Sequence, residues 1–114
     1  MDLQEVINEL QLTTLTNNKD FEIVIPSGGY TSDLLSCVMT GAKPQNLWVT
    51  LQSHINIVAV AALLDLSAII ITEGATPDEN TIAKANEEEI TLLSTQEPSF
   101  QVIGKLWELG IKAE

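Results

Sequence analysis

Apolar residues recur along this chain with two periods. Leu3, Val6, Ile7 and Leu10 stand three and four apart, and Asp2 followed three residues later by Glu5 has the form of a capping box, so a helix is predicted over 3–10. Residues 12–16 and 21–25 are β-prone runs separated by Asn17-Asn18-Lys19-Asp20. That spacer is turn chemistry, and the simplest reading is a short antiparallel edge hairpin. From there the pattern alternates. The run 21–25 leads into the loop Pro26-Ser27-Gly28-Gly29-Tyr30 and a helix over 32–40, stopped by Gly41-Ala42-Lys43-Pro44. A strand follows at 47–51, a turn at 52–54 and a helix at 55–64. Ile69-Ile70-Ile71 puts three β-branched residues in a row within 67–72, as a strand buried on both faces requires. Thr76-Pro77-Asp78-Glu79 reads as an N-cap, a proline at the first helical position and a capping glutamate, opening a helix to residue 88. A strand at 90–93 and a helix at 98–109, stopped by Gly110, complete the chain.

Strand–helix–strand repetition with connecting helices of this length implies parallel strands joined by right-handed crossovers. The expected fold is α/β in three layers: a mostly parallel open sheet, helices on both faces, and the antiparallel hairpin at one edge. No internal repeat or linker interrupts it, so residues 1–114 are read as a single domain. Two helices are more apolar than a surface helix needs to be. Residues 55–64 are apolar almost all round, and the last helix carries Phe100, Val102, Ile103, Leu106, Trp107 and Leu109. A second apolar face in so small a domain points to a homodimer. The plainer alternative is that the alanines of 55–64 only let that helix approach its own sheet closely.

Composition narrows the function classes. Five lysines against sixteen carboxylates give the 114-residue chain a net charge of −11, and it has no arginine. Binding to nucleic acid needs clustered cations, and these lysines are scattered; an anionic membrane would repel the chain for the same reason. The longest apolar run is too short to span a bilayer and the first residues lack the pattern of a signal peptide, so the expected location is the cytoplasm. One cysteine, Cys37, and one histidine, His54, provide no recognisable metal-ligand set. Asp33, Glu73 and Asp78 would hold magnesium only if the fold converged them. Cys37, Trp48 and Trp107 read as packing residues, with Trp48 alternatively bordering a crevice, and Glu87-Glu88-Glu89 as a solvated helix end.

In open α/β sheets ligands bind beyond the carboxyl ends of the strands, where helix N-termini expose N–H groups. Two connections there carry suitable chemistry. Ser27-Gly28-Gly29-Tyr30-Thr31-Ser32 offers two glycines for close backbone approach and hydroxyls at a helix start, though it matches neither a Walker loop nor a dinucleotide fingerprint. Thr50-Leu51-Gln52-Ser53-His54-Ile55-Asn56 gathers five polar side chains around a strand-to-helix turn. The expected ligand residues are Gly28, Gly29, Tyr30, Ser32, Thr50, Gln52, Ser53, His54 and Asn56, side by side at one rim. Against this stand plain readings: a tight turn capped by Ser32, and a helix capped by Ser53 with His54 exposed. No catalytic residue is assigned, because His54 has neither an orienting carboxylate nor a nucleophile nearby in sequence.

The stretches 28–36, 47–61, 68–71 and 92–95 together resemble stand-alone DRTGG-domain proteins, the block from Thr50 to Ala61 most specifically. The resemblance implies a Rossmann-like domain similar to the N-terminal domain of HPr kinase/phosphorylase. Related domains accompany CBS domains in some inorganic pyrophosphatases and occur in long phosphotransacetylases, in regulatory or oligomerising roles. It therefore implies a non-catalytic regulatory or sensory module with no obligatory cofactor, binding a small anionic ligand such as a nucleotide. Stand-alone members are encoded near iron-only hydrogenase subunits, which implies as the alternative an accessory partner of such a redox complex, or of another metabolic enzyme. The chain departs from the family where the Asp-Arg-Thr-Gly-Gly signature should stand, having no arginine, and Glu89 replaces the glycine expected after the 78–88 helix.

Overall fold

The computed structural model describes residues 1–113. It contains five helices, α1 (Leu3–Leu10), α2 (Leu35–Gly41), α3 (Asn56–Leu64), α4 (Glu79–Glu87) and α5 (Ser99–Glu108), and five strands, β1 (Thr13–Thr14), β2 (Gly28–Thr31), β3 (Asn46–Thr50), β4 (Ala68–Ile71) and β5 (Leu92–Ser94). The strands form one sheet in the order β1-β5-β4-β3-β2. β2 to β5 run parallel and β1 pairs antiparallel with β5.

The parallel strands therefore lie side by side in chain order. Crossovers of one hand that advance in one direction must place their helices on one face, and they do. Val38 of α2, Ile57, Val58 and Ala61 of α3 and Ala85 of α4 pack with Trp48, Ile69, Ile71 and Leu92. The opposite face is covered by α1 and α5, whose Leu3, Val6, Val102 and Leu106 pack with Leu47, Val49, Ile70 and Leu93. Alternate residues of β3 and β4 thus enter different cores, and every residue of both strands is buried, as the Ile69–Ile71 run requires.

The structure differs from the sequence expectation in four places. First, the antiparallel edge is present, but it is not a hairpin: Thr13 and Thr14 pair with Ser94 and Leu93. Phe21–Ile23 is a 3-10 turn capped by Asp20 and anchored by buried Phe21 in the α1 core. Second, the strand expected at 21–25 lies at 28–31, so Gly28 and Gly29 are strand residues and not a loop. Their register is continuous, Gly28 opposite Asn46 and Gly29 opposite Leu47. Third, α4 is capped two residues later than Thr76, by Asp78, whose Oδ1 accepts from both the backbone N–H and the hydroxyl of Thr81. Last, α2 starts at Leu35 and runs through Gly41.

The ends of the other helices follow one geometry. After α5 the N–H of Ile111 returns to Leu106 O and that of Gly110 to Trp107 O, with Gly110 at φ +93°, the double bond of a Schellman cap. Leu12 and Gln11 close α1 in the same way, Leu66 and Asp65 close α3, and Ile90 and Glu89 close α4. In those three the left-handed residue is Gln11, Asp65 or Glu89, at φ 53°, 55° and 59°.

Candidate functional site

The carboxyl ends of the parallel strands form one rim, from which four connections leave. At its outer edge the end of β2 and the end of β3 are tied together. Asp33 Oδ1 accepts from Thr50 Oγ1 at 2.8 Å and from the Leu51 N–H at 2.9 Å, and Gln52 Nε2 donates to Asp33 O. Ser32 accepts the Leu34 N–H on its hydroxyl and the Trp48 indole N–H on its carbonyl. Trp48 is wholly buried, so it packs and does not border an open crevice.

This arrangement corrects the expected pocket. Gly28 and Gly29 open β2, opposite the first residues of β3, whereas Thr50 is the last residue of β3 and Gln52 lies beyond it. The rest of β2, Tyr30 and Thr31, separates the two glycines from the rim. Tyr30 points into the α2–α3 core and donates its hydroxyl to Cys37 O. Of the glycine segment only Ser32 reaches the rim, and the gap between it and the Gln52 turn is closed by the Asp33 hydrogen bonds. Thr50, Gln52, Ser53, His54 and Asn56 do come together, at the start of α3. There His54 Nδ1 accepts the Asn56 N–H at 3.1 Å, which places the neutral imidazole's proton on Nε2. His54 and Asn56 are exposed.

The middle of the rim holds residues that the sequence reading undervalued. α4 leaves β4 toward one face and α5 leaves β5 toward the other, which makes this the point where an open sheet offers a crevice. Here the crevice is knit shut. Glu73 N–H donates to Glu97 O and Gly74 N–H to Thr95 O. Ser99, Thr72 and Thr50 form a relay: the Thr72 hydroxyl lies 2.5 Å from that of Ser99 and donates to Thr50 O. Glu73 Oε2 accepts the Ser99 N–H at 2.8 Å, so the N-terminus of α5 already carries a carboxylate. Glu73 and Gly74 both have positive φ, and Glu-Gly directly after a strand was the available signal.

Two helix starts on this rim are thus filled by the chain's own acids, α4 by Asp78 and α5 by Glu73. The Thr81 backbone N–H and then the Thr81 hydroxyl hold the Asp78 carboxyl below its ordinary range. At α3 the N-cap residue, Ile55, has no side-chain acceptor, and the His54 imidazole before it takes the Asn56 N–H. Among the described residues no group of three or more His, Cys, Asp or Glu is placed to hold a metal ion. Cys37 is exposed on α2, contrary to a packing role, and Trp107 is half exposed on α5. Both turned outward because the core-facing positions of these short helices are taken by Val38 and by Val102 and Leu106.

Residues 5–109 match the DRTGG domain family. The chain belongs to the DRTGG family. Among solved structures, this DRTGG domain is similar to the CBS and DRTGG domains of the regulatory region of Clostridium perfringens pyrophosphatase, complexed there with its activator diadenosine tetraphosphate. The TM-score is 0.71 at 18% identity, over 90% of this chain and 46% of that one. The DRTGG chain therefore corresponds to about half of that regulatory region, and the likeness is one of fold. No curated protein sequence matches it. Among the described residues no helix is long and apolar enough to cross a membrane.

Proposed function

We propose that this DRTGG domain is a non-catalytic regulatory module that binds a small anionic ligand, a nucleotide being the first class to test, at the start of α3. The observation that carries this reading is the cap on α3. Of the helix starts on the rim, α4 and α5 are neutralised by carboxylates and the approach to α2 is tied to β3 by Asp33, whereas α3 presents His54, Asn56 and half-exposed Ser53 to solvent with a displaceable imidazole on its N–H. A phosphate there would replace His54 Nδ1 as acceptor and gain from the helix dipole. The regulatory setting of the pyrophosphatase relative supports the choice of nucleotides. A non-catalytic role fits a histidine whose Nδ1 is engaged in capping.

The module acts as a homodimer in this reading. Ile55, Ala59, Ala62 and Leu63 lie three, four and eight positions apart on the outer side of α3 and are all exposed, an apolar stripe beside the proposed ligand turn. A docking role beside a redox enzyme such as an iron-only hydrogenase is the second reading. It is favoured by Phe100 and Trp107, which stand exposed on the opposite face of the sheet, where the α3 stripe cannot cover them.

Calorimetric titration with ADP, ATP and diadenosine tetraphosphate tests the first reading. We expect saturable binding that weakens about tenfold in a Ser53→Ala/His54→Ala variant, the loss of two polar contacts. Absence of heat at millimolar nucleotide overturns it. Sedimentation of a Leu63→Glu variant tests the dimer: a dimer unchanged by that substitution excludes the α3 stripe as its interface.

A further inference from the structure

We infer that the cleft between β2 and α5 is a second small-molecule site, shaped for a flat apolar body bearing a single carboxylate. The cleft has a volume of about 290 Å³ and opens on the α1–α5 face. An apolar cavity of roughly 150 Å³ accommodates benzene, so this one has room for a fused two-ring body. Its deep walls are Val49 and Leu106, both almost fully buried, and Ile103 and half-exposed Trp107 flank its mouth.

Two further observations point to an occupant. The first is Gly29 on the cleft wall. A glycine inside a strand weakens it, and usually marks a bulge or a close backbone approach. β2 has no bulge here; the Lys112 backbone does run alongside, its carbonyl accepting the Gly29 N–H at 2.9 Å, but a Cβ built on Gly29 would meet Ile111 Cγ2 and Leu47 O only at 3.7 Å, ordinary contact. Nothing in the chain itself therefore requires glycine at this position, and the missing side chain is what keeps the cleft open. The second is Lys112. Its ammonium stands 5.3 Å from the centre of the Trp107 ring at the mouth, and it makes no ion pair among the described residues of a chain with sixteen carboxylates. Lys84 and Lys105 are paired with glutamates, and of the three lysines without an ion pair among the described residues only Lys112 lines the cleft. A carboxylate entering beside Trp107 gains the Lys112 charge while its ring lies on the indole and the aliphatic wall. The site lies across the sheet from the α3 turn and needs neither that turn nor a nucleotide.

The probe is 2-naphthoate, titrated into the isotopically labelled protein and followed by amide chemical shifts. Saturable shifts at Gly29, Val49, Ile103 and Lys112, with a Kd of about 1 mM or tighter, are expected for a body of this size. Gly29→Val fills the cleft from its wall without a strained backbone angle and should weaken binding at least about tenfold. Lys112→Gln should weaken naphthoate about threefold and leave the uncharged 2-naphthamide unchanged, which separates charge recognition from general stickiness. Should Gly29→Val fail to fold, the Lys112→Gln pair of ligands decides the matter. No saturation at millimolar naphthoate, shifts elsewhere on the surface, equal loss of both ligands in Lys112→Gln, or displacement by ADP would each overturn the assignment. So would burial of the cleft in a dimer, seen as a Kd that rises with protein concentration.

Discussion

Glu89 does the work of a glycine. Its φ of 59° places a β-carbon in the left-handed region, and its charge sits at the negative end of α4, so sterics and the helix dipole both oppose it. Glu89→Gly should raise stability by about 1 kcal/mol, near 4 °C in Tm, measurable by thermal unfolding. The bond from Lys19 Nζ to Glu89 O survives, since it uses the backbone. Gly41 shows the opposite case, a glycine that packing demands. A methyl group there would collide with the Tyr30 ring. We expect Gly41→Ala to cost about 1–3 kcal/mol, and most of that cost to vanish when Tyr30 is first truncated to Ala. The need for a left-handed residue at Glu89 was readable from the stop of a helical period. The clash at Gly41 was not, because it joins positions eleven residues apart through the packing of α2 on β2.

At the level of elements, capping decided where helices begin. The Thr76-Pro77-Asp78-Glu79 stretch contains two acceptors that can start α4, and Asp78 won because its carboxylate receives both Thr81 donors. The folded state holds the Asp78 carboxyl below its ordinary value of 3.8. A depressed acid contributes stability that is complete above the unfolded pKa and is lost as pH falls through the folded one. In acid titration below about pH 4, Asp78→Ser should therefore retain the cap while losing part of the wild-type dependence on pH. An unchanged acid limb would show that Asp78 contributes nothing. The β2 strand was misplaced for a related reason: residues 21–25 have the stronger β propensity, but Phe21 is claimed by the α1 core and leaves the sheet edge to Gly28–Thr31.

For the whole molecule, charge sets the conditions of any ligand binding. A net −11 repels anions at long range, whereas the proposed contacts at α3 act at short range. Raising ionic strength from about 10 mM to about 150 mM shortens the Debye length from about 30 to 8 Å, so nucleotide affinity should improve, by about threefold. Weaker binding in salt would instead indicate a local cation cluster that the scattered lysines do not provide.

The alternation of strands and helices, the double burial of Ile69–Ile71, the capping box on α1 and the Thr50–Asn56 turn were all set by the sequence alone. Each depends on residues within one or two turns of one another, where propensity and periodicity act directly. Tertiary structure decided what lies beside what. It paired Thr13–Thr14 with β5, placed three crossover helices on one face, buried Trp48, closed the rim with Asp33 and Glu73, and opened a cleft over Gly29. These outcomes arise from competition between distant segments for the same core and the same backbone partners, a competition that no local pattern records.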